Sequence, residues 1–301
     1  VFQLNIDRTK ALPKYVFYYL YSKEGQDTVL KNFRGSTVGG ITRDFIHHVT
    51  IPLPSLSKQQ KIVYLLDEAN ELRSLNMSFW ISMRKLFHSV FLEYFGDPVV
   101  NKRQWEQKKI QEVLSVLQTG WSPICEKRQP QTGEWGVLKL SSLTGGFFTL
   151  SQSKTLPKDR IPKYNLEVQR GDVLFARKNT LEYIGTSAYI FERNHSSRYI
   201  FSDLMFRMQC YRDIMHPIFL WLCMSQKNQR SEIRRLATGT AGTMPNISKK
   251  RLLTLPIICP PIELQEKFAR RIEEIYEMKH LYEEAHKRSQ RMFQTLLRKS
   301  F

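Results

Sequence analysis

The chain has 301 residues, a formal net charge of +18 and a sequence pI near 9.8. Its length fits about two domains, and 42% hydrophobic with 12% aromatic residues exclude a disordered basic tail. No apolar run nears the roughly 18 to 20 residues of a membrane span, and the positive excess, interleaved with aromatic and hydroxyl residues, points to nucleic acid rather than to an acidic protein.

Residues 1–6 read as a short strand, followed by a helical piece over 15–30 and a Gly- and Thr-rich stretch over 34–41. An extended run over 49–55 is closed by Pro52 and Pro54, which forbid a helix there. A long helix is expected over 57–95, with Ser57 as its cap and Gln60 at the capping-box position. Its apolar residues fall at Ile62, Leu65, Ala69, Leu72, Phe79, Met83, Leu86 and Val90, with Asn76 at the one polar position. Alternating steps of three and four are the heptad stripe of a coiled-coil seam, in which one buried Asn fixes register. Such a helix is roughly 55 Å long at 1.5 Å per residue, and Gly96-Asp97-Pro98 stops it.

Residues 101–255 alternate short apolar strands with turns: 136–140, 146–150, 171–176, 186–191 and 204–208, with helical pieces at 109–117 and 217–236. This is the pattern of an α+β domain with a curved, mainly antiparallel sheet. A second long helix closes the chain over 262–301. Its stripe is Phe268, Ile272, Ile275, Met278, Tyr282, Ala285, Met292 and Leu296.

The two ends of this plan are copies of each other. Residues 30–95 lie on residues 236–301 without a gap: Ile41 falls on Ile247, Pro54 on Pro260, Gln59 on Gln265, Lys61 on Lys267, Phe87 on Phe293 and Phe95 on Phe301. Pro13 and Pro217 match only if a gap of a few residues is allowed. The period is too long for a solenoid. It implies a pseudo-two-fold protein for a two-fold object, with its two long helices packed antiparallel as a coiled coil. The expected division is 1–55, the end of a first globular domain; 56–97, the first long helix; 98–258, a complete second domain; and 259–301, the second long helix. Residue 1 is Val and the chain starts inside a patterned segment, so it reads as a piece of a longer protein.

Catalytic chemistry is hard to find. There is no Asn/Asp-Pro-Pro-aromatic motif, no GxGxxG after a strand and no Walker A lysine motif. His47 and His48 are adjacent on an extended run and point to opposite faces. Asp172 precedes Arg177 and Lys178 but lacks a second carboxylate at nuclease spacing. Cys125, Cys210, Cys223 and Cys259 form no CxxC and have no His at zinc spacing. They read as reduced thiols of a cytoplasmic protein, with no metal or cofactor expected.

Readout chemistry is present instead. Arg177, Lys178, Asn179 and Thr180 follow a strand. Arg suits guanine, Asn suits adenine, and Lys and Thr hold phosphates. Gln118, Thr119 and an exposed-looking Trp121 form a turn. Lys139, Ser141 and Ser142 end another strand, and Thr238, Thr240, Thr243 and Asn246 lie on a loop. These residues are the expected interface to double-stranded DNA. A helical assembly protein with only non-specific DNA contacts is the alternative.

The residues also resemble a known family, the DNA-specificity subunits of Type I restriction–modification systems. The Ile51-Pro-Leu-Pro-Ser-Leu-Ser-Lys-Gln-Gln run looks like the family's proline-ended strand and helix start. Leu86-Phe-His-Ser-Val-Phe-Leu-Glu-Tyr-Phe-Gly-Asp-Pro98 is similar to its helix exit. Arg170-Gly-Asp-Val-Leu-Phe-Ala-Arg-Lys-Asn179 looks like a segment of its target recognition domains. The resemblance implies two recognition domains, each reading half of a split site in the major groove, held apart by paired helices. Two methyltransferase subunits would dock on those helices, and restriction subunits would join through them. The subunit itself would have no catalysis and no cofactor. Because most of the first recognition domain is absent from this sequence, one half-site reader is expected, and self-association is one way a half-length form could complete the pair.

Overall fold

The computed structural model describes residues 3–31, 33–34, 40–41, 49–192, 197–239 and 244–301, without the side chains at 33–34, 40–41, 73–78, 80–81, 279–281, 283 and 286. His47, His48, Thr240, Thr243, most of the Gly- and Thr-rich stretch and the Asn76 side chain lie outside the described residues. In chain order the elements begin with α1 (Pro13–Tyr21), α2 (Lys23–Lys31), β1 (Phe33–Arg34), β2 (Gly40–Ile41) and α3 (Leu56–Phe95). Then come β3 (Gln107–Lys109), α4 (Ile110–Val113), β4 (Leu114–Thr119), β5 (Trp135–Leu138), β6 (Ser153–Thr155), β7 (Val173–Ala176), β8 (Ser187–Tyr189), β9 (Arg198–Phe201) and β10 (Met205–Cys210). The chain closes with α5 (Pro217–Ser225), α6 (Lys227–Arg235), α7 (Lys249–Leu253), β11 (Pro256–Ile258) and α8 (Ile262–Ser300). The fold is α+β and falls into two compact units, Val1–Ser82 with Tyr276–Phe301, and Met83–Ile275.

In the first unit, Pro13 opens α1 with its preset φ, and Ser22 breaks the helix in extended backbone (φ −67°, ψ 166°). The α1 ring face meets the two long helices. Tyr18, Leu66, Ala69, Phe293 and Leu297 are buried together, with Ile62, Leu296 and Phe301 against them. Tyr15 and Tyr19 hold the Phe301 ring between centroids 5.3 and 5.5 Å away. Farther along, Phe79 and Tyr282 stack at 3.6 Å with planes 8° apart. Moving from Ala69 to Phe79 on α3 means moving from Phe293 back to Tyr282 on α8, so the two run antiparallel here.

In the second unit, a four-stranded sheet has the order β4-β10-β7-β8 and is antiparallel throughout. A three-stranded sheet, β6-β5-β9, has one parallel pair, β5 with β9. A ribbon of β11 and β3 is separate. Helix α5 is apolar on all sides and buried from Pro217 to Met224, as expected of a helix with no solvent face. Phe219 joins Phe91, Phe95 and Phe268, with ring centroids 4.8 to 5.7 Å apart, so the end of α3 and the start of α8 share one aromatic core.

Several sequence expectations are corrected. Helix α3 starts at Leu56, and Ser55 rather than Ser57 caps it, its Oγ accepting from Lys58 N at 3.4 Å. Residues 146–150 are bend and irregular backbone rather than a strand, and 3–6 carry no strand. The helix expected over 109–117 is one turn, α4, before Ile110 and Val113 bury and the chain extends into β4. The seam is also out of phase. Leu65 and Leu72 are 50% and 48% exposed, and Leu86, Met292 and Met278 are exposed as well, whereas Leu66, Phe87, Phe293 and Leu297 are buried. Ala69, Met83, Val90, Phe268, Ile272 and Ile275 are buried as expected. Each helix packs on globular neighbours besides its partner, so the buried face takes i and i+4 positions one residue beyond the heptad.

Candidate nucleic-acid interface

Strand ends from both sheets of the second unit meet at the turn between β9 and β10. Trp121 N donates to Phe201 O (2.9 Å), Gly120 N to Met205 O (3.4 Å) and Arg177 N to Leu204 O (3.0 Å). Leu138, at the end of β5, pairs with Phe201. Thus the ends of β4, β5, β7 and β9 and the start of β10 lie at one edge, and the segments that leave them carry the candidate residues. Gly120 is required there: a Cβ would come within 2.2 Å of Phe201 O.

Arg177, Lys178 and Asn246 come together. Ile247 N donates to Arg177 O at 2.7 Å, Lys178 bridges Asn246, and Asn246 bridges Thr238. The Arg177 guanidinium lies 5.0 Å from the Phe206 ring centroid, and its Nη1 donates to Asp203 O at 3.3 Å. That fixes the guanidinium at the edge by stacking and one carbonyl. Lys139, Thr180 and Thr238 are exposed, and Thr119 is half-buried opposite Phe206. Ser141 donates to Gln152 Oε1 (2.9 Å).

Other candidates are structural. Ser142 is fully buried and closes a 3₁₀ turn through Lys139 O at 2.7 Å. Asn179 is buried, with its Oδ1 accepting from Thr180 N (2.9 Å). Gln118 Oε1 accepts from Arg207, a buried guanidinium that also donates to Glu167 O (2.9 Å) and faces Asp172 at 3.5 Å. Asp172 is held by Gln169 N (2.9 Å) and Gln209 Nε2 (2.7 Å). Burial pushes its carboxyl upward against those bonds. This network is the core's answer to a buried Arg, so Gln118 and Asp172 belong to the scaffold. Trp121 is half-buried against the core and covered by Lys163 Nζ, 4.9 Å from its ring, rather than exposed.

The structure adds residues the sequence did not single out. Lys163 and Lys249 (Nζ 6.0 Å from the Phe206 ring) place two more cations beside Trp121 and Arg177. The Lys249-Lys250-Arg251 run was the available signal, whereas Lys163 reaches the edge only through tertiary folding. Ser122 Oγ hydrogen-bonds the Asp203 carboxylate and accepts from Asp203 N at 3.1 Å, which ties the 120s loop to the turn. Ile124, Leu181 and Met244 stand exposed on the segments that leave the edge, as apolar groups suited to a thymine methyl. Among the described residues no cluster of three His, Cys, Asp or Glu could hold a metal, and no helix is long and apolar enough to cross a membrane.

Known proteins share the fold on which this edge is built. The chain is 28% identical over 175 residues to the Type I restriction enzyme EcoEI specificity subunit of Escherichia coli, covering 58% of this chain and 29% of that protein. It is 25% identical over 288 residues to the MjaVIII specificity subunit of Methanocaldococcus jannaschii, covering 86% of this chain and 63% of that protein. The chain therefore spans less than two thirds of the length of these relatives. Its fold matches the crystal structure of a Type-I restriction-modification S subunit from M. genitalium with a TM-score of 0.56 at 13% identity, covering 98% of this chain and 74% of that one. A chain from a structure of type I R-M complex assembly and conformational transition matches with a TM-score of 0.54 at 17% identity, covering 98% and 72%. The model of the Type I restriction modification DNA specificity domain matches residues 2–75 and 102–288, and the chain belongs to that family.

Proposed function

We propose that this chain is a non-catalytic specificity subunit that reads one half of a bipartite duplex site through the strand-end edge of its second unit. The observation that carries the reading is the gathering of Arg177, Lys178, Lys139, Lys163 and Lys249 around one turn, with Asp203 as the nearby carboxylate. Arg177 is the base reader, Ile124, Leu181 and Met244 supply apolar contacts, and the lysines with Thr180 and Thr238 position phosphates. Residues 98–258 form the recognition domain, 1–55 belong to a first recognition domain, and 56–97 with 259–301 form the spacer helices. The exposed Tyr64, Leu65 and Leu72 on α3 support the docking of two methyltransferase subunits on those helices, with restriction subunits joining through them. Self-association of this chain would supply a second half-site reader.

Fluorescence anisotropy with defined and randomised duplexes tests the reading. Affinity should fall steeply with salt, and Lys178→Ala should flatten that slope by about one counterion. Arg177→Ala should lose about 1 to 3 kcal/mol of base discrimination. Unchanged sequence preference in that variant removes Arg177 from the reading set.

A further inference from the structure

Away from the strand-end edge, the second unit contains a cavity of about 550 Å³, lined by α3, the 144–146 turn, the 182–187 segment and the α5–α6 junction. Five cations line it: Arg84, Lys85, Lys227, Arg230 and Arg234. Among the described residues none of the five makes an ion pair. Arg234 Nη2 donates to the backbone at Glu182 O (2.9 Å), and Arg230 Nη2 to Glu182 O (3.3 Å) and Thr186 Oγ1 (3.2 Å). Arg230 Nη1 is buried with no partner. Glu182 is the acidic side chain at the wall, and its charge and hydrogen bonding hold the neighbouring Tyr183 hydroxyl above its ordinary pKa.

Five cations against the one carboxylate of Glu182 leave an excess of positive charge at the wall. Burial, and then the charge of Arg234, hold Arg230 down to about 10. Burial disfavours the charged form of His88, against a Gln226 hydrogen bond, and the Arg84 charge adds to it. Such a cluster is not needed to hold the helix pair together. The equivalent pair in the first unit, α1 with α2, has Lys23 where α6 has Lys227, but Gln26 where it has Arg230. The cluster is a property of this copy. The α6 N-terminus also opens onto the cavity through Ser225, Gln226 and Lys227 and favours negative charge. The volume lies within the range of small-ligand sites, roughly 300 to 1,000 Å³.

We infer that this cavity is an anion site for phosphate groups, with Arg84, Lys227, Arg230 and Arg234 as their ligands. The phosphates come either from a free polyphosphate or from the DNA backbone, and one pair of variants separates the sources. Tripolyphosphate is the probe, titrated calorimetrically into the full chain. Saturable binding is expected, weakened at least tenfold by Arg84→Glu with Lys227→Glu, two exposed side chains whose reversal leaves the core untouched. A tenfold loss of DNA affinity in the same variant, with sequence preference kept and tripolyphosphate competing for DNA, assigns the phosphates to the backbone. Unchanged DNA affinity assigns a free anion. Reversal of Lys58 and Lys61, exposed on α3 in the other unit, is the control for net charge. The inference is overturned if tripolyphosphate fails to bind saturably, or if the control reversal weakens its binding as much. A failure of base reading at Arg177 leaves this site standing, because the probe contains no bases.

Discussion

The two copies of the repeated module hold the same joint with the same side chain and then diverge around it. In the first, Gln59 Oε1 accepts from Leu12 N (2.9 Å), and Nε2 donates to Lys10 O (2.9 Å) and Pro54 O (2.8 Å). In the second, Gln265 Oε1 accepts from His216 N (2.9 Å), and Nε2 donates to Ile214 O (3.1 Å) and Pro260 O (2.7 Å). Both amides are fully buried. Both bolt the start of a long helix to the residues that precede a proline-led helix, Pro13 in one and Pro217 in the other. Leu12 and His216 share φ −80° and ψ near 131°. What is shared is backbone geometry, and what differs is the charge placed on it. The module is a common fastening, and the second copy adds a titratable cap and a cationic cavity.

The fastening claim makes the largest prediction. Gln265→Leu strands the His216 N–H and the Pro260 carbonyl, while Ile214 O keeps the Cys259 thiol, and should cost about 2 to 5 kcal/mol, with a similar cost for Gln59→Leu. Native-state hydrogen exchange at the His216 and Leu12 amides checks both. A large loss in one copy and none in the other breaks the equivalence.

The next prediction concerns acid. Burial, then the Arg212 charge, hold the His216 imidazole down to about 4, from 6.5. Its Nδ1 accepts from Ile218 N at 3.2 Å as the helix cap. Between about pH 6.5 and 4 the unfolded chain takes up a proton that the folded chain refuses. Stability from this group is therefore intact above the window and lost as pH falls through it, on the order of 2 to 3 kcal/mol. His216→Leu, which copies Leu12, should abolish that loss in the α5 amides, while the α1 amides show none of it in either protein. Equal acid sensitivity of the α1 amides contradicts the assignment.

The smallest effect lies between the long helices of the first unit. A double-mutant cycle on Phe79→Ala and Tyr282→Ala should give a coupling of about 0.5 to 1.5 kcal/mol from their stacked rings. A coupling near zero would leave the pair as a contact without energy.

Much of this was legible in the sequence because it depends on local rules. The ungapped repeat exposed the Gln59–Gln265 correspondence, prolines marked the helix starts, and apolar runs located β5, β7, β8 and β10. The upstream part of the repeat was obscured because its offset differs by two residues: Pro13 to Pro217 is 204, whereas Gln59 to Gln265 is 206. The heptad reading failed at Leu65 and Leu72 because each long helix serves globular neighbours as well as its partner. At the interface, Arg177 and Lys178 were legible as polar residues after a strand. The loss of Gln118, Ser142 and Asn179 to the scaffold was not, since it depends on a buried Arg207 and on turns closed by tertiary contact. Lys163 reaches Trp121 from 42 residues away in sequence, a separation no local pattern encodes.

The most direct test of the central claim is selection of duplexes from a random pool by the full chain together with methyltransferase subunits, run in parallel with Arg177→Ala. The account predicts one short enriched motif for the unaltered chain and the same motif, degenerate in at least one position, for the variant. No enriched motif in either selection, or an identical motif in both, would contradict sequence reading at the strand-end edge.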